Sequence, residues 1–368
     1  MSRKKSLAER ITWIVVLFFS LMLSIAIVAP MINPGNLWIP AFFGLTYPYI
    51  AAITIVGAFI IMFFNTKKSI VPILVFLLGI GPCRHTFHFS GTRNHFSEQE
   101  KDLKILSQNV HLFGVYNSNG KLTSDSVLQL IEKEKPDIAC FQEFYNQDKV
   151  SNKTIQDFMQ AGLFSNYYVQ PYSTVGKDGY FGIITFSRFP VINQGEVKNP
   201  VKSGKKICAI WCDVIIKTDT VRIYNIHLQS IGFTSTEESL FAEKNNQDEI
   251  EYKSKSTVRK LKRAFVNRSM QIEALVDHIA QCPYPKFLIG DFNDTPVSYT
   301  YRKLRYNLRD AFLDSGPWGM GKTYNGPFPS VRIDYIFYPT LYDAAGFNIL
   351  KKQYSDHFPI TCRFKKLQ

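Results

Sequence analysis

The first eighty-three residues carry one acidic side chain, Glu9, and three long apolar runs. ITWIVVLFFSLMLSIAIVA (11–29) has about the twenty-residue length that carries a helix across a bilayer. LWIPAFFGLTYPYIAAITIVGAFIIMFF (37–64) is longer, and spans with tilt or with a kink near Pro48. SIVPILVFLLGIGP (69–82) falls short unless it extends through CRHTFHF to about residue 88. Residues 1–90 are therefore expected to form a transmembrane region of about three helices, near 11–29, 37–64 and 69–88. A cleaved signal peptide is the competing reading, since Arg3, Lys4, Lys5 and Arg10 make a basic start. The length of the first run, the lack of a small-x-small cleavage site and the two later runs favour an uncleaved, multi-pass anchor.

Basic residues set the expected orientation. Four lie at the N-terminus, none in the 30–36 link, and Lys67 and Lys68 in the 65–69 link. Positive flanks stay cytoplasmic, so three spans place everything after about residue 90 outside the cytoplasm. Two spans would reverse that orientation. The first hundred residues carry a net charge of +5, leaving +8 of the total +13 on the remainder. A basic soluble part suits an anionic partner (phosphates, nucleic acid or lipid headgroups) or adhesion to an anionic bilayer. The six cysteines (83, 140, 208, 212, 282 and 362) show no metal-type spacing, and buried free thiols are expected.

From DLKILSQNV (102–110) onward, short apolar strands alternate with helical patterns. Strands are expected near 103–110, 137–142, 167–171, 180–187, 206–217, 220–228, 286–290, 333–338 and 357–364. Helices are expected near 123–134, 151–162, 254–281 and 298–305. Strands that follow one another with no helix between them, such as 206–217 and 220–228, imply antiparallel or mixed sheets with helices outside. Residues 229–253 are polar and acid-rich and are expected to be a mobile loop. The densely basic start of the helix after it reads either as a solvated face beside a membrane or as a substrate-facing surface.

Five stretches share one design, an apolar strand ending in polar residues: LSQNV (Asn109), IACFQEF (Gln142, Glu143), YNIHLQS (Asn225, His227), LIGDFND (Asp291, Asn293), and RIDYIF with YSDHFPI (Asp334, Asp356, His357). Taken singly, each is a turn residue, a core histidine or a solvated acid. Glu143, set between two phenylalanines, is where an idle carboxylate is disfavoured. Together they meet the needs of phosphoester hydrolysis. Carboxylate and amide oxygens suit a hard cation, magnesium or manganese. Asp291 suits an acceptor for the proton of an attacking water. Histidine supplies a donor near neutral pH, and a carboxylate such as Asp334 fixes its tautomer.

The order N…QE…H…GDFN…D…SDH resembles that of the endonuclease/exonuclease/phosphatase superfamily over residues 102–366. The resemblance implies an α/β four-layer sandwich over about 100–368: two mixed β-sheets packed face to face and flanked by helices. The site would lie at one edge, where strand ends converge. Carried over position by position, Glu143 is the principal metal ligand, with Asn109 and Asp356 on the metal or its waters. Asp291 orients or deprotonates the water, and Asn293 holds a phosphate oxygen. Asp334 and His357 form a carboxylate–histidine pair at the scissile phosphate. His227 matches a second histidine that apurinic endonucleases lack, which points away from abasic-site repair. Arg188 in GYFGIITFSRFPV is a phosphate contact or, more simply, a surface ion pair.

Two substrate readings follow. One is a membrane-anchored phosphodiesterase or phosphatase acting on lipid headgroups or other small phosphoesters. The other is an outward-facing nuclease, for which a basic domain suits a nucleic-acid backbone. The long loop does not interleave aromatic with basic residues, which disfavours nucleic acid. A scaffold with a dead site is a third class, opposed by the presence of Glu143, Asp291 and His357. No segment points to a protein partner.

Overall fold

The computed structural model describes residues 6–89, 96, 101–115, 123–147, 155–175, 179–202, 206–232, 247–326 and 331–367, with backbone only over 247–253. It divides into two compact units, one of Met1–Phe87 with Asp294–Arg302, the other of His88–Asn293 with Lys303–Gln368.

The first unit is helical. Helix α1 (Leu7–Val28) starts at Ser6, whose Oγ accepts from the Glu9 N–H at 3.1 Å. The second apolar run forms two helices, α2 (Ile39–Leu45) and α3 (Tyr47–Phe64). The break falls at Thr46, just before Pro48, where a kink was expected; Pro48 sits in the first turn of α3, where its missing N–H costs nothing. The third run is α4 (Thr66–Leu78), capped by the Asn65 side chain, and α5 (Ile80–Thr86), bent 53° from it. Among the described residues two helices are thus long and apolar enough to cross a membrane, or three if the bent pair is one span. Leu7, Ile14, Phe18, Leu21, Val56, Phe59 and Phe63 all face outward, an exposed apolar surface of the kind that marks a membrane or protein contact.

Two polar contacts fix the direction of α4. Lys68 Nζ donates to Glu9 Oε1 at 2.8 Å, so α4 begins beside the start of α1. The Tyr47 hydroxyl donates to the Gly79 carbonyl at 2.6 Å, so α4 ends beside the start of α3. Residues 294–302 pack in the same unit. Val297 is buried with Leu23, Ala26, Tyr47, Ile50 and Ala51. A Cβ at Gly44 would lie 2.3 Å from the Val297 carbonyl oxygen, an approach that only glycine permits.

The second unit is the expected α/β sandwich of two mixed, six-stranded sheets. Its strands are β1 (Leu103–Asn109), β2 (Ile138–Gln147), β3 (Asn166–Val175), β4 (Gly179–Ser187), β5 (Val191–Lys198) and β6 (Ile207–Ile216). They continue with β7 (Asp219–His227), β8 (Lys286–Asp291), β9 (Leu308–Asp310), β10 (Asp334–Pro339), β11 (Tyr342–Ile349) and β12 (Ile360–Lys366). One sheet runs β11-β12-β1-β2-β4-β3, the other β5-β6-β7-β8-β10-β9. Each has a parallel pair at its centre, β1 with β2 and β7 with β8. Between the sheets lies an apolar core that includes Ile105, Cys140, Cys212, Ile223, Ile289, Ile336, Ile360 and Phe364. Helices α6 (Ser124–Glu134) and α7 (Ile155–Gly162) cover a second core rich in phenylalanine.

Three strands escape the sequence pattern: β5, β9 and β11. β5 (VINQGEVK) is polar and largely exposed, β9 is three residues long, and β11 is interrupted by a register slip between Ala345 and Asn348. The helix expected from 254 is α8 (Gln247–Ala280), so 247–253 is helical rather than loop. Residues 233–246 of that expected loop, 151–154 of the helix expected at 151–162, and Arg3, Lys4 and Lys5 lie outside the described residues. Two short helices follow, α9 (Tyr299–Leu304) and α10 (Ala311–Ser315).

Candidate active site

Both parallel pairs end in the same cluster of polar residues. In an open α/β sheet, the carboxyl ends of parallel strands leave a crevice where backbone groups and loops face a ligand. Asn109, the last residue of β1, pairs with Gln142 of β2, and Glu143 follows it. His227, the last of β7, pairs with Asp291, the last of β8, which also pairs with Asp334, the first of β10. The second sheet therefore presents His227, Asp291 and Asp334 in one row.

Backbone irregularities aim the side chains. The register of β2 against β4 slips between Phe141 and Phe144, a bulge that contains Gln142 and Glu143. In a regular strand, 141 and 143 share a face. The extra residue lets Phe141 and Phe144 both bury in the aromatic core while Glu143 turns outward. Glu143 sits at φ 53°, a left-handed conformation costing about 1–3 kcal/mol that structures retain where it serves a site. His111, Leu112 and Phe113 follow Asn109 with φ of 44°, 52° and 54°. Gly290, before Asp291, has φ 129°, and a Cβ there would sit 2.2 Å from the Ile226 carbonyl oxygen.

Asp291 is the hub. Its Oδ2 accepts from Asn109 Nδ2 at 3.1 Å and from Asn293 Nδ2 at 2.9 Å. Its Oδ1 accepts from the Asn293 backbone N–H at 2.8 Å. The Nε2 atoms of His227 and His357 lie 3.7 and 3.8 Å from Oδ2. On the far side of the rings, His357 Nδ1 meets both Asp334 oxygens at 3.0 and 3.1 Å. His227 Nδ1 meets the Tyr172 hydroxyl at 3.2 Å, and its Nε2 lies 3.5 Å from Glu143 Oε1. Asp356 stands at the rim, with its carboxylate 37% exposed and 3.5 Å from His111 Nδ1.

Burial and charge then set the protons. Full burial pushes Asp291 up to about 7. The His357 charge lowers it, Asp334 raises it, and the Asn109 and Asn293 hydrogen bonds lower it. Burial alone would depress His357, but the charges of Asp334 and Asp291 outweigh that and hold it well above the ordinary histidine range. A carboxylate raised toward neutrality beside a histidine kept cationic is an acid–base pair poised for work near pH 7.

Of the eight candidate residues that the sequence offers, the structure joins seven through short contacts: Asn109, Glu143, His227, Asp291, Asn293, Asp334 and His357. Asp356 connects to them through charge on His357 and through His111. Asn293 lies against Asp291. Both its amide hydrogens are committed, to Asp291 and to the Leu228 carbonyl at 3.2 Å. Arg188 is the ion pair, donating to the Gly162 carbonyl and lying 3.6 Å from Asp137. Asp294 caps its own turn through Thr295 and Thr300, and Phe292 buries against Tyr335 and Phe337.

Gln142 and Asn225, which the strand-end motifs also contain, join the sheets behind the site, while Thr323 and Tyr324 were not legible. Gln142 Nε2 donates to Asn225 Oδ1 at 2.7 Å, and Asn225 Nδ2 donates to the Ile184 carbonyl and to Thr185, a buried amide layer joining the two sheets. Thr323 Oγ1 accepts from the Ile333 and Asp334 N–H groups, and Tyr324 sets its ring edge on His357. The left-handed turn at His111 and the partner Tyr172 carry no sequence signature, because both depend on local backbone irregularity.

The donors fit a hard divalent cation: four carboxylates, two amides and imidazole nitrogen. Atoms of Asp291, Asp334 and His357 lie within 4.8 Å of one another. Those three already satisfy each other and the neighbouring amides. Glu143, whose carboxylate makes no short hydrogen bond among the described residues, and the open Asp356 have oxygens to give.

Comparison with known proteins agrees with this geometry. A model of the endonuclease/exonuclease/phosphatase family matches residues 106–357. A model of a domain of unknown function matches residues 9–86. No curated protein matches the chain. Among solved structures, an endonuclease/exonuclease/phosphatase from Beutenbergia cavernae superposes with a TM-score of 0.52 at 18% identity, over 72% of this chain and 71% of that one. A functionally unknown conserved protein from Enterococcus faecalis gives 0.51 at 18%, over 72% and 100%. The human Nocturnin catalytic domain, with bound sulfate anion, gives 0.52 at 19%, over 77% and 98%.

Proposed function

The chain belongs to the endonuclease/exonuclease/phosphatase family, and from that premise we propose a membrane-anchored phosphoesterase that hydrolyses a lipid headgroup or another small phosphoester at a bilayer surface. The family's enzymes are metal-dependent hydrolases of phosphoester bonds, and this chain is one of them. The observation that carries the reaction is the row His227–Asp291–Asp334 with His357 behind it and Glu143 in front. What supports the substrate class is the set of long apolar helices that the same chain carries ahead of the sandwich.

Glu143 and Asp356, with the Asn109 amide oxygen, would hold magnesium or manganese. Such an ion neutralises phosphoryl charge and lowers the barrier to attack. The chain's own groups do the rest. Asp291, oriented by Asn109 and the Asn293 amide, takes a proton from water as the water oxygen bonds to phosphorus. The bond from phosphorus to the leaving oxygen breaks, and that oxygen takes a proton from Nε2 of the His357 imidazolium. Asp334 holds that ring through Nδ1 and stabilises its charge. Asn293 serves as an orienter of Asp291, since its amide hydrogens are engaged there. His227 offers Nε2–H to a phosphoryl oxygen.

The anchor has three passes, α1, α3 and the bent α4–α5, with the catalytic unit extracytoplasmic. The Glu9–Lys68 and Tyr47–Gly79 contacts support this, since α4 returns from the end where α1 starts to the end where α3 starts. One observation favours a nuclease instead: Lys255, Arg259, Lys262 and Arg263 form an exposed basic face at the start of α8. A parallel assay of sphingomyelin, phosphoinositide and plasmid DNA with the full chain decides. Lipid turnover with intact plasmid is expected; cleaved plasmid with unchanged lipid would sink the lipid reading.

A further inference from the structure

We propose that the basic first half of α8 docks the sandwich, catalytic end first, onto an anionic lipid surface; this rests on the membrane-anchored reading above. The geometry starts in how α8 lies on β7. The Tyr224 hydroxyl in mid-strand meets His278 Nδ1 at 3.0 Å. Just past the strand's end, the Gln229 N–H donates to Gln271 Oε1 at 2.9 Å, and Arg268 Nη1 donates to the Gln229 carbonyl at 2.9 Å. The helix therefore runs antiparallel to β7. The strand stops at His227, level with Asp291, whereas the helix continues beyond that end. At 1.5 Å of rise per residue, residues 255–263 lie roughly 12–24 Å past Gln271. Lys260 Nζ still reaches the chain there, donating to the Gly232 carbonyl at 3.0 Å. The start of α8 is thus an arm that overhangs the end of the sandwich where the site lies.

The arm has two faces. Leu261, Ala264, Phe265, Ile272 and Leu275 bury on one arc of the helix. The opposite arc exposes Lys255, Val258, Arg259, Lys262, Arg263 and Met270. No acidic residue occurs in the sequence between Glu251 and Glu273. A cluster of four cations on one helix face is a recognition surface for anionic lipid headgroups. Charge alone would suit a nucleic-acid backbone equally, and the rest of the face decides. Val258 is 44% exposed and Met270 40% exposed on the same arc. Apolar groups beside cations gain by entering the boundary between headgroups and acyl chains, while a phosphate backbone offers them nothing. The arc carries no aromatic ring on which a base could stack. Residues 87–102 alone connect α5 to β1, at most about 55 Å of extended chain. A tether that short keeps the face at high effective concentration near the anchor's bilayer, so a modest gain per cation suffices.

The test places a nitroxide on Val258→Cys in the full chain, with Cys83→Ala removing the one native thiol that is not buried. The labelled chain is reconstituted in nanodiscs of phosphatidylcholine, alone or mixed equally with phosphatidylglycerol. Collisions with dissolved oxygen report lipid around the label, and collisions with a water-soluble nickel chelate report water. Oxygen should dominate in the anionic discs and the chelate in the neutral ones, and high salt should return the label to water. Arg259→Gln with Arg263→Gln should weaken the docked state about 25-fold, roughly fivefold for each cation. A label equally wet in both kinds of disc, or equally deep in the double variant, would overturn the proposal. So would shielding by a duplex oligonucleotide in neutral discs without shielding by anionic lipid. Should the double variant fail to fold, the two disc compositions alone decide. A chain that does not enter discs would sink the anchored reading and this proposal with it; one that enters with a wet label sinks the proposal alone.

Discussion

Asp334→Asn removes the negative charge behind His357 and leaves a side chain of nearly the same shape. Both partners are buried, and Nδ1 lies 3.0 and 3.1 Å from the two carboxylate oxygens. At an effective dielectric of about 20, a unit pair at that range attracts by about 5 kcal/mol. Removing one partner of a buried pair costs about 3–5 kcal/mol, because the other is left uncompensated. If the imidazolium is the form that protonates the leaving oxygen, that loss appears as roughly a 10²–10⁴-fold fall in kcat. The pH profile carries the sign. His357 is held above its ordinary range by Asp334 and Asp291 against the opposing effect of burial. Activity needs its protonated form, and falls as pH rises through that raised value. With the Asp334 charge gone, the alkaline limb must move to lower pH. The assay is bis-(p-nitrophenyl) phosphate hydrolysis by the full chain in detergent with magnesium, across mildly acid to alkaline pH, beside a thermal melt to confirm folding. A folded variant with kcat close to wild type and an unmoved alkaline limb would rule out this role for the pair.

Three further outcomes are expected. Phe158→Ala empties the centre of the aromatic core, where the ring meets Phe113, Phe141, Phe144 and Phe186 at 5.0–5.8 Å. It should cost about 3–5 kcal/mol, read as a fall in Tm of roughly 6–20 °C, and an unchanged melt contradicts it. Asp310→Ala removes the carboxylate that pairs at 2.7 Å with Arg332, which is buried against Phe312 and Tyr335. It should destabilise by about 3–5 kcal/mol in denaturant, and Asp310→Leu with Arg332→Met should be less harmful than Asp310→Ala alone. A reporter fused after residue 95 should work only outside the cytoplasm; one active only inside would show that α4 and α5 do not cross.

Sequence carried the outline of this fold well because central strands are buried on both faces. Their apolar runs, such as FLIG before Asp291 and KIL in β1, stand out under any register. Strands β5, β9 and β11 were illegible because the first is polar and exposed, the second is three residues long and the third is broken by a register slip. The kink near Pro48 was legible because proline in a first turn marks a helix start, and the break lies just before it at Thr46. In the site, the strand-end residues were legible as a set because so many polar groups ending apolar strands demand a common purpose. Their division of labour was not. That Asn293 spends its amide on Asp291, and that Tyr172 backs His227, follows from a turn and a bulge. No residue type announces either.

Metal-dependent phosphoester hydrolysis built on Asp291 and Glu143 stands or falls on one comparison. It is turnover of bis-(p-nitrophenyl) phosphate by the full chain, Asp291→Asn and Glu143→Gln, with EDTA and then with excess magnesium or manganese. Wild type should lose activity in EDTA and recover it with metal. Asp291→Asn should stay at least about 10²-fold below wild type at every metal concentration, and Glu143→Gln should need more metal for half-maximal rate. Full wild-type activity in EDTA, or full activity in Asp291→Asn, would contradict the account.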